Sequence, residues 1–452
     1  MKLPPEIFKA YDIRGVVGKS LTPEVVHAIG GALGTLAQER GRDTLVVGRD
    51  GRLSGPALAG ALADGIRATG AHVIDVGAVT TPMTYFAAYE LGTQCSVMVT
   101  GSHNPPDYNG LKMVVAGETL SGDDIQALRT RIEAGRLATG SGSYRTADIG
   151  QAYIERVGTG VRLARGLRVA IDAGNGIAGA YAPALFRRLG CKVTEMYCEV
   201  DGTFPNHHPD PSQPANLHDL IELVREGRHD IGLAFDGDGD RLGVVTADGH
   251  VIYPDRQLML FASDVLSRVP GATIIYDVKS TRNLKPWITR HGGQPLLWKT
   301  GHSLIKGKMK DLGAPIAGEM SGHMFFTESF YGHDDAVYAA ARLMRIVSEA
   351  GQRIEDLLAD VPRFVSTPEI RIDCPDDRKF TIVDEAVRHF ARDHEVVGVD
   401  GARVLFGEGW GLIRASNTQP VLVARFEART AEQLTRIQTE MESWLRSQGV
   451  SP

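Results

Sequence analysis

Along most of the chain, short apolar runs alternate with amphipathic stretches, and polar loops bearing glycine separate them. An apolar run of about four to eight residues between turn residues reads as a buried strand. A longer stretch with an apolar face at a period of about 3.6 residues reads as a helix. Thr22-Pro23-Glu24 supplies an N-cap hydroxyl, a first-turn proline and a favourable acid, so a helix is expected from there to about Arg40, ending at Gly41. Thr44 to Val47 then reads as a strand, Pro56 to Ala68 as a helix, His72 to Val76 as a strand and Pro82 to Leu91 as a helix. Strand Cys95 to Val99, a polar loop and strand Leu111 to Val115 follow.

The plan restarts at Arg168. Strand Arg168 to Ile171, helix Ala180 to Leu189, strand Lys192 to Tyr197, helix Leu217 to Glu226 and strand Ile231 to Phe235 lead to another polar loop and strand Leu242 to Thr246. A third start has strand Thr273 to Tyr276, helix Thr281 to His291, strand Pro315 to Ala317, a polar loop and strand Met324 to Thr327. Three segments with one plan and low mutual identity make a topological repeat. From Arg363 the pattern changes. Strands near Glu369 to Ile372, Arg403 to Phe406, Gly411 to Arg414 and Val421 to Glu427 flank helices Phe380 to Arg392 and Ala431 to Arg446, a smaller α+β domain. The expected domains are 1–147, 148–248, 249–363 and 364–452, with the Gly-Ser stretch Thr139 to Ser143 supporting the first boundary.

Composition narrows the class. With 452 residues, a prior of roughly 150 per domain gives about three domains, with two or four also within reach. The chain carries 49 basic and 55 acidic residues, a net charge of −6, which argues against broad nucleic-acid or membrane-surface binding. Cys95, Cys191, Cys198 and Cys374 show neither C-x-x-C spacing nor a disulfide framework and fit a reducing, cytoplasmic compartment. The opening Met-Lys-Leu-Pro-Pro-Glu has no signal-like apolar run, and no run nears the roughly 18 residues of a membrane span. Glycine is abundant, 52 residues, and clusters at polar loops where backbone can approach a ligand.

Those loops carry the candidate chemistry. Thr100-Gly101-Ser102-His103-Asn104-Pro105-Pro106 puts a hydroxyl beside a proton carrier at a strand end, which suits a nucleophile or phosphate carrier. The same residues also make an ordinary turn, and adjacent side chains need loop geometry to act together. Phe235-Asp236-Gly237-Asp238-Gly239-Asp240-Arg241 places three carboxylates at alternate positions, able to wrap one hard cation such as Mg²⁺. Without a cation they would repel one another. An EF-hand does not fit, because Arg241 and Ala247 stand where its Gly and Glu belong. Arg241 suggests that an anion shares the site. Gly318-Glu319-Met320-Ser321-Gly322-His323 could read sugar hydroxyls or be a solvated turn. Arg414-Ala415-Ser416-Asn417-Thr418-Gln419-Pro420 suits a phosphate dianion, or is a hairpin turn. His207-His208 lacks the usual spacing of zinc ligands. Tyr11-Asp12-Ile13-Arg14-Gly15 reads as a polar turn, and Lys279, Lys299 and His302 follow strand-like segments that could line the same cleft. Together the four loops imply phosphoryl transfer on a polyol, at strand ends between domains.

In order and spacing, across nearly the whole chain, these four loops and Tyr11-Asp-Ile-Arg-Gly resemble the signature segments of the α-D-phosphohexomutases, most closely the bacterial phosphomannomutase/phosphoglucomutase branch. The resemblance implies three similar mixed-sheet α/β domains and a C-terminal α+β domain like TATA-binding protein, arranged around one central cleft. It implies that Ser102 holds the transferable phosphoryl group. Asp236, Asp238 and Asp240 would bind one Mg²⁺ per chain together with an oxygen on Ser102. Glu319 and Ser321 would read the sugar, and Arg414, Ser416, Asn417 and Thr418 would grip the phosphate that is not reacting. Tyr11, Arg14, His103, Lys112, Arg241, Lys279, His302 and His323 would line the cleft, with His103, Lys112 or His323 as the base. The implied activity interconverts hexose 1-phosphate and hexose 6-phosphate, for mannose and glucose, through a 1,6-bisphosphate that reorients. Glucose 1,6-bisphosphate would be the activator, and the protein a monomer without nucleic-acid or membrane partners. His323 resembles the dual-specificity enzymes, since glucose-only relatives usually carry Gly at the matching place.

Alternatives remain at this level. Phosphoglucosamine and phosphoribose mutases are the nearest in substrate. A haloacid-dehalogenase-like phosphatase would use Asp236 as nucleophile but leaves the Ser102 and Arg414 loops without a task. A sugar-phosphate-binding regulator leaves the nucleophile and metal loops without one.

Overall fold

The computed structural model describes residues 2–417 and 419–452. Four sheets follow one another along the chain. In the first, Ile13–Val16, Tyr108–Val115, Ser96–Val99, Thr44–Arg49, His72–Ala78 and Tyr144–Thr146 lie side by side, with short Glu118–Thr119 against Tyr108–Val115. Thr44–Arg49 runs parallel to both its neighbours, and Tyr108–Val115 returns antiparallel beside Ser96–Val99. The second sheet orders Leu242–Thr246, Ile231–Phe235, Arg168–Asp172 and Lys192–Met196; the third orders Gln294–Trp298, Thr273–Asp277, Ile316–Gly318 and Met324–Phe326. Each has three parallel strands and one antiparallel edge strand. In all three units the polar loop joins the last parallel strand to that antiparallel return, at 100–107, 236–241 and 319–323. Such a loop is anchored by a buried strand at both ends and opens at the carboxyl edge of the sheet, where ligands bind in α/β folds. The fourth sheet, antiparallel throughout, contains Ala402–Phe406, Gly409–Ala415 and Val421–Ala428 and is backed by helices Asp376–Phe390 and Ala431–Ser447.

Local chemistry explains the framework. Thr22 caps the helix Pro23–Glu39, its Oγ1 accepting from Val25 N at 3.4 Å. Glycines on that helix let it cross Gly55–Arg67 closely: a Cβ at Gly30 would lie 2.4 Å from the Leu62 carbonyl. One apolar core runs under the first three units, from Val46 and Met83 through Phe186 and Phe261 to Val347, and the fourth has its own. The fourth sheet meets the third through a small cluster of Val278, Trp410 and Leu412. Arg403 stacks over Trp410 there at 3.9 Å and donates to the carbonyls of Val278 (2.6 Å) and Ser280 (2.9 Å). No helix of the described residues is long and apolar enough to cross a membrane.

Several expectations need correction. Tyr11–Gly15 is no mere turn: Ile13–Val16 is an edge strand, with Ile13 buried opposite Leu111. Thr139–Ser143 packs closely against the first domain. A Cβ at Gly142 would collide with the Ala71 carbonyl, and this close approach lets Tyr144–Thr146 join the first sheet beside His72–Ala78. The third unit gains strand Gln294–Trp298 and helix His302–Leu312, which complete the plan of the other two. Helices Asp123–Glu133, Gly150–Gly160, Pro254–Leu266 and Ala336–Ala350 are also additional. The last two have little wet surface. Leu258 to Ala262 and Ala336 to Met344 are buried without interruption.

Candidate active site

The Ser102 loop is held from beneath by two residues that the sequence reading leaves unmarked, Asp50 and Arg52. Asp50 accepts from Thr100 Oγ1 at 2.8 Å and from Gly101 N at 3.1 Å. Arg52, fully buried, donates to the carbonyls of Ser102 (2.8 Å), Asn104 (2.5 Å), Pro105 (2.5 Å) and Tyr108 (3.0 Å). Arg14 adds the Gly101 carbonyl at 2.6 Å and Asn104 Oδ1 at 2.5 Å. Within this grip Ser102 takes φ +48°, a left-handed conformation that a residue with a Cβ adopts only when its surroundings impose it. Ser102 is 2% exposed, and its Oγ lies 2.9 Å from Asp236 Oδ2 and 3.1 Å from His103 Nδ1. Burial, then the charges of Arg241 and Arg14, hold His103 well below the usual histidine range.

Asp236, Asp238 and Asp240 are fully buried and bring ligand oxygens within 4.8 Å of one another. The N–H groups of Asp240 and Arg241 donate to Asp236 Oδ1, each at 3.1 Å. Asp238 Oδ2 accepts from Thr81 Oγ1 at 2.5 Å and from Lys112 Nζ at 2.8 Å, and Lys112 also bonds Asp240. Asp238 Oδ1 accepts no hydrogen bond. Burial and then the Asp240 and Asp238 charges push Asp236 well above the usual carboxylate range. Burial opposes a charge on Lys112, yet Asp238 and Asp240 outweigh it and push its pKa well up. Oxygen-only donors, an orphaned buried oxygen and the Ser102 hydroxyl beside them fit a hard divalent cation. Gly237 permits the approach of the two loops, since a Cβ there would lie 2.4 Å from the Ser102 carbonyl.

The third loop continues the chain of contacts. His323 Nε2 lies 3.2 Å from Asp240 Oδ1, and its Nδ1 lies 3.1 Å from Glu319 Oε2 and 2.9 Å from Ser321 Oγ. Burial disfavours a charged His323, but Asp240 and then Glu319 hold its pKa up at about 9. Burial and the Lys306 charge instead hold His302 down at about 4. Glu319 Oε1 accepts from Gly301 N at 2.6 Å. Next to Gly301, Thr300 links three units. Its carbonyl accepts from Tyr11 OH at 2.9 Å, its N–H donates to Asp400 Oδ2 at 3.0 Å, and Asp400 accepts from Arg414 Nε at 3.0 Å. Asn417 Nδ2 donates to Tyr11 OH, and Ser416 Oγ accepts from Gln419 N at 3.2 Å. Lys279 Nζ donates to Glu369 Oε2 at 3.0 Å.

Contacts therefore run unbroken from Ser102 through Asp236, Asp240, His323, Glu319 and Thr300 to Arg414, and the four loops border one cleft. Thr418 lies outside the described residues. Lys299 is exposed and outside this set. His207 is held by Asp172 at 2.9 Å and edge-on to Tyr197, with no part in a metal-like group among the described residues. Asp50 and Arg52 did leave a trace in the sequence. Asp50-Gly51-Arg52 is a polar string just past a strand end, as the other loops are. Thr81, Glu369 and Asp400 left none.

Family models of phosphoglucomutase/phosphomannomutase match the chain in order: alpha/beta/alpha domain I at residues 5–139, domain II at 151–249, domain III at 253–364 and the C-terminal domain at 369–443. A phosphomannomutase/phosphoglucomutase of Pseudomonas aeruginosa is 54% identical over 447 residues, 98% of this chain and 96% of its own. A phosphoglucomutase of Neisseria gonorrhoeae is 52% identical over 447 residues, 98% and 97% of the two chains. The crystal structure of a phosphoglucomutase/phosphomannomutase family protein from Burkholderia thailandensis matches with a TM-score of 0.92 at 51% identity, covering 98% of each chain. Four sheets in the family's order, and this level of identity over nearly the whole length, establish that the chain belongs to the phosphoglucomutase/phosphomannomutase family.

Proposed function

We propose that this enzyme interconverts the 1-phosphates and 6-phosphates of mannose and glucose through a phosphoserine at Ser102 and a 1,6-bisphosphate that turns over in the cleft. The four domains of this reading are 1–147, 148–248, 249–363 and 364–452. The observation that carries it is Ser102 Oγ, 2.9 Å from a buried cluster of three aspartates, with the Arg414 loop reached by an unbroken run of contacts. Mg²⁺, held by Asp236, Asp238 and Asp240, would offset negative charge on the transferring phosphoryl group. Ser102 carries the phosphoryl group between half-reactions, with Arg241 adding positive charge beside it. Lys112, bonded to both Asp238 and Asp240, supplies charge rather than a base. His103 is placed to take the serine proton, and His103 and His323 remain the groups that can move a proton at the sugar hydroxyl. Glu319 and Ser321 read hydroxyls that mannose and glucose share, while Tyr11, Arg14, Lys279 and His302 shape the cleft. Arg414, Ser416 and Asn417, with Thr418 in the same loop, hold the phosphate that is not reacting.

The test is a substrate panel with Mg²⁺ and a trace of glucose 1,6-bisphosphate, run beside mass spectrometry of the intact protein. Turnover of both sugars with kcat/KM within about tenfold, and an acid-stable phosphate on Ser102, are expected. Net phosphate release, or exclusion of either sugar, would overturn the reading.

A further inference from the structure

Lys279 and Arg414 approach the cleft from the third and fourth domains, and each is already paired with a carboxylate. The two carboxylates are placed differently. Asp400, on Arg414, is also held by the Thr300 N–H at 3.0 Å and so is fixed from two sides. Glu369, on Lys279, stands on the segment leading from the third domain into the fourth, one residue before strand Ile370–Asp373. Its side chain is 34% exposed, while that of Lys279 is 9% exposed. Arg371 Nε lies 3.8 Å from its other oxygen, and the field of Arg414 reaches it as well. The Lys279 charge, more than any other influence, holds the Glu369 carboxyl at about 2, so it is ionised near neutral pH. A monoanion thus occupies a place where three cations converge, the setting that suits a phosphate dianion.

We propose that Glu369 is a built-in competitor of the substrate phosphate: it neutralises Lys279 between turnovers, and the phosphate of a hexose phosphate displaces it. The proposal rests on the reading that the cleft binds hexose phosphates. Lys279 is buried, with Asp277 and Glu319 within the reach of its charge, so it is not the partner that moves. Glu369 has water on one side and can swing out at little desolvation cost. A buried ammonium without a counter-charge is unfavourable, which the pair prevents when no phosphate is bound. Once a dianion arrives, a carboxylate that stayed would repel it. Substrate affinity is therefore set below what the cations alone would give, and the returning carboxylate helps the phosphate leave.

Glu369→Gln keeps the size and removes the charge. KM for glucose 1-phosphate and mannose 1-phosphate should fall about two- to fivefold, the scale of a partly exposed charge contact. The Kd for inorganic phosphate, measured by calorimetry, should fall in parallel, while kcat stays the same or drops as release slows. Glu369→Ala gives the same comparison should the glutamine variant fold poorly. Unchanged constants in a variant with the wild-type melting temperature would overturn the proposal. So would a rise, which would make Glu369 a positioning residue for Lys279. If wild-type protein fails to isomerise hexose phosphates, the functional reading falls instead, and the phosphate titration still decides whether Glu369 competes.

Discussion

At the scale of single residues, the proposed mechanism divides the site into side chains that would meet the reacting atoms and side chains that hold them in place. Ser102→Ala removes the oxygen proposed to carry the covalent step and leaves the rest of the cleft intact. Turnover should fall by several orders of magnitude while calorimetry still shows hexose phosphate binding. Near-normal turnover would remove Ser102 from its role. The meeting residues were legible in the sequence because they form dense polar strings: three aspartates at alternate positions, or Ser-His after an apolar run. The holding residues were less so. Arg52 shows only in the short polar string Asp50-Gly51-Arg52, because it works through four backbone carbonyls, which carry no sequence signature. Asp400 and Glu369 work on partners in another domain, and one chain position bears no mark of a partner so distant along it.

At the scale of elements, helix ends bring distant chemistry together. Thr81 opens the helix Thr81–Glu90 in the first domain, and its hydroxyl bonds Asp238 in the second. Orienting a ligand from outside its coordination shell typically changes metal affinity by about 10- to 100-fold. Thr81→Val should therefore weaken Mg²⁺ binding by about that factor in direct titration of the protein, and Thr81→Ser should restore it. Helices Pro254–Leu266 and Ala336–Ala350 are tied by Asp264, which accepts from Arg268 and Arg342 and from Arg345 at 2.6 Å. Burial alone would raise this carboxyl, but Arg268, Arg342 and Arg345 hold it down at about 2. A depressed folded pKa stabilises above the unfolded value near 3.9 and ceases to do so as pH falls through the folded one. Asp264→Asn should cost about 2 kcal/mol near pH 7, read as faster amide exchange in the two helices. The deficit against wild type should shrink between about pH 4 and pH 2. A deficit independent of pH would mean that the ion pairs contribute nothing.

For the whole molecule, the proposed mechanism has one phosphoserine, yet phosphate must reach both ends of the sugar, so in that mechanism the same clamp must hold either end. Arg414→Ala should weaken 1-phosphate and 6-phosphate substrates by comparable amounts and release more labelled bisphosphate before the second transfer. A defect confined to one substrate would mean two separate phosphate sites. The Trp410–Arg403 junction is small beside the core shared by the first three domains, which is the form of a joint about which the fourth can move. The repeat of three domains was legible because each sheet writes the same strand-loop-strand string. The cleft was legible only as an inference from four loops needing one place to meet, since nothing local records how the domains are set around it. Ser102, for its part, is buried in a loop pinned through its carbonyls. A protein kinase grips an extended segment of its target, and residues 100–107 can offer none while Arg52 holds them. In the proposed mechanism such a serine would be primed, and re-primed after hydrolysis, by a small metabolite. The working fraction of the enzyme would then follow the local supply of sugar bisphosphate rather than kinase signalling.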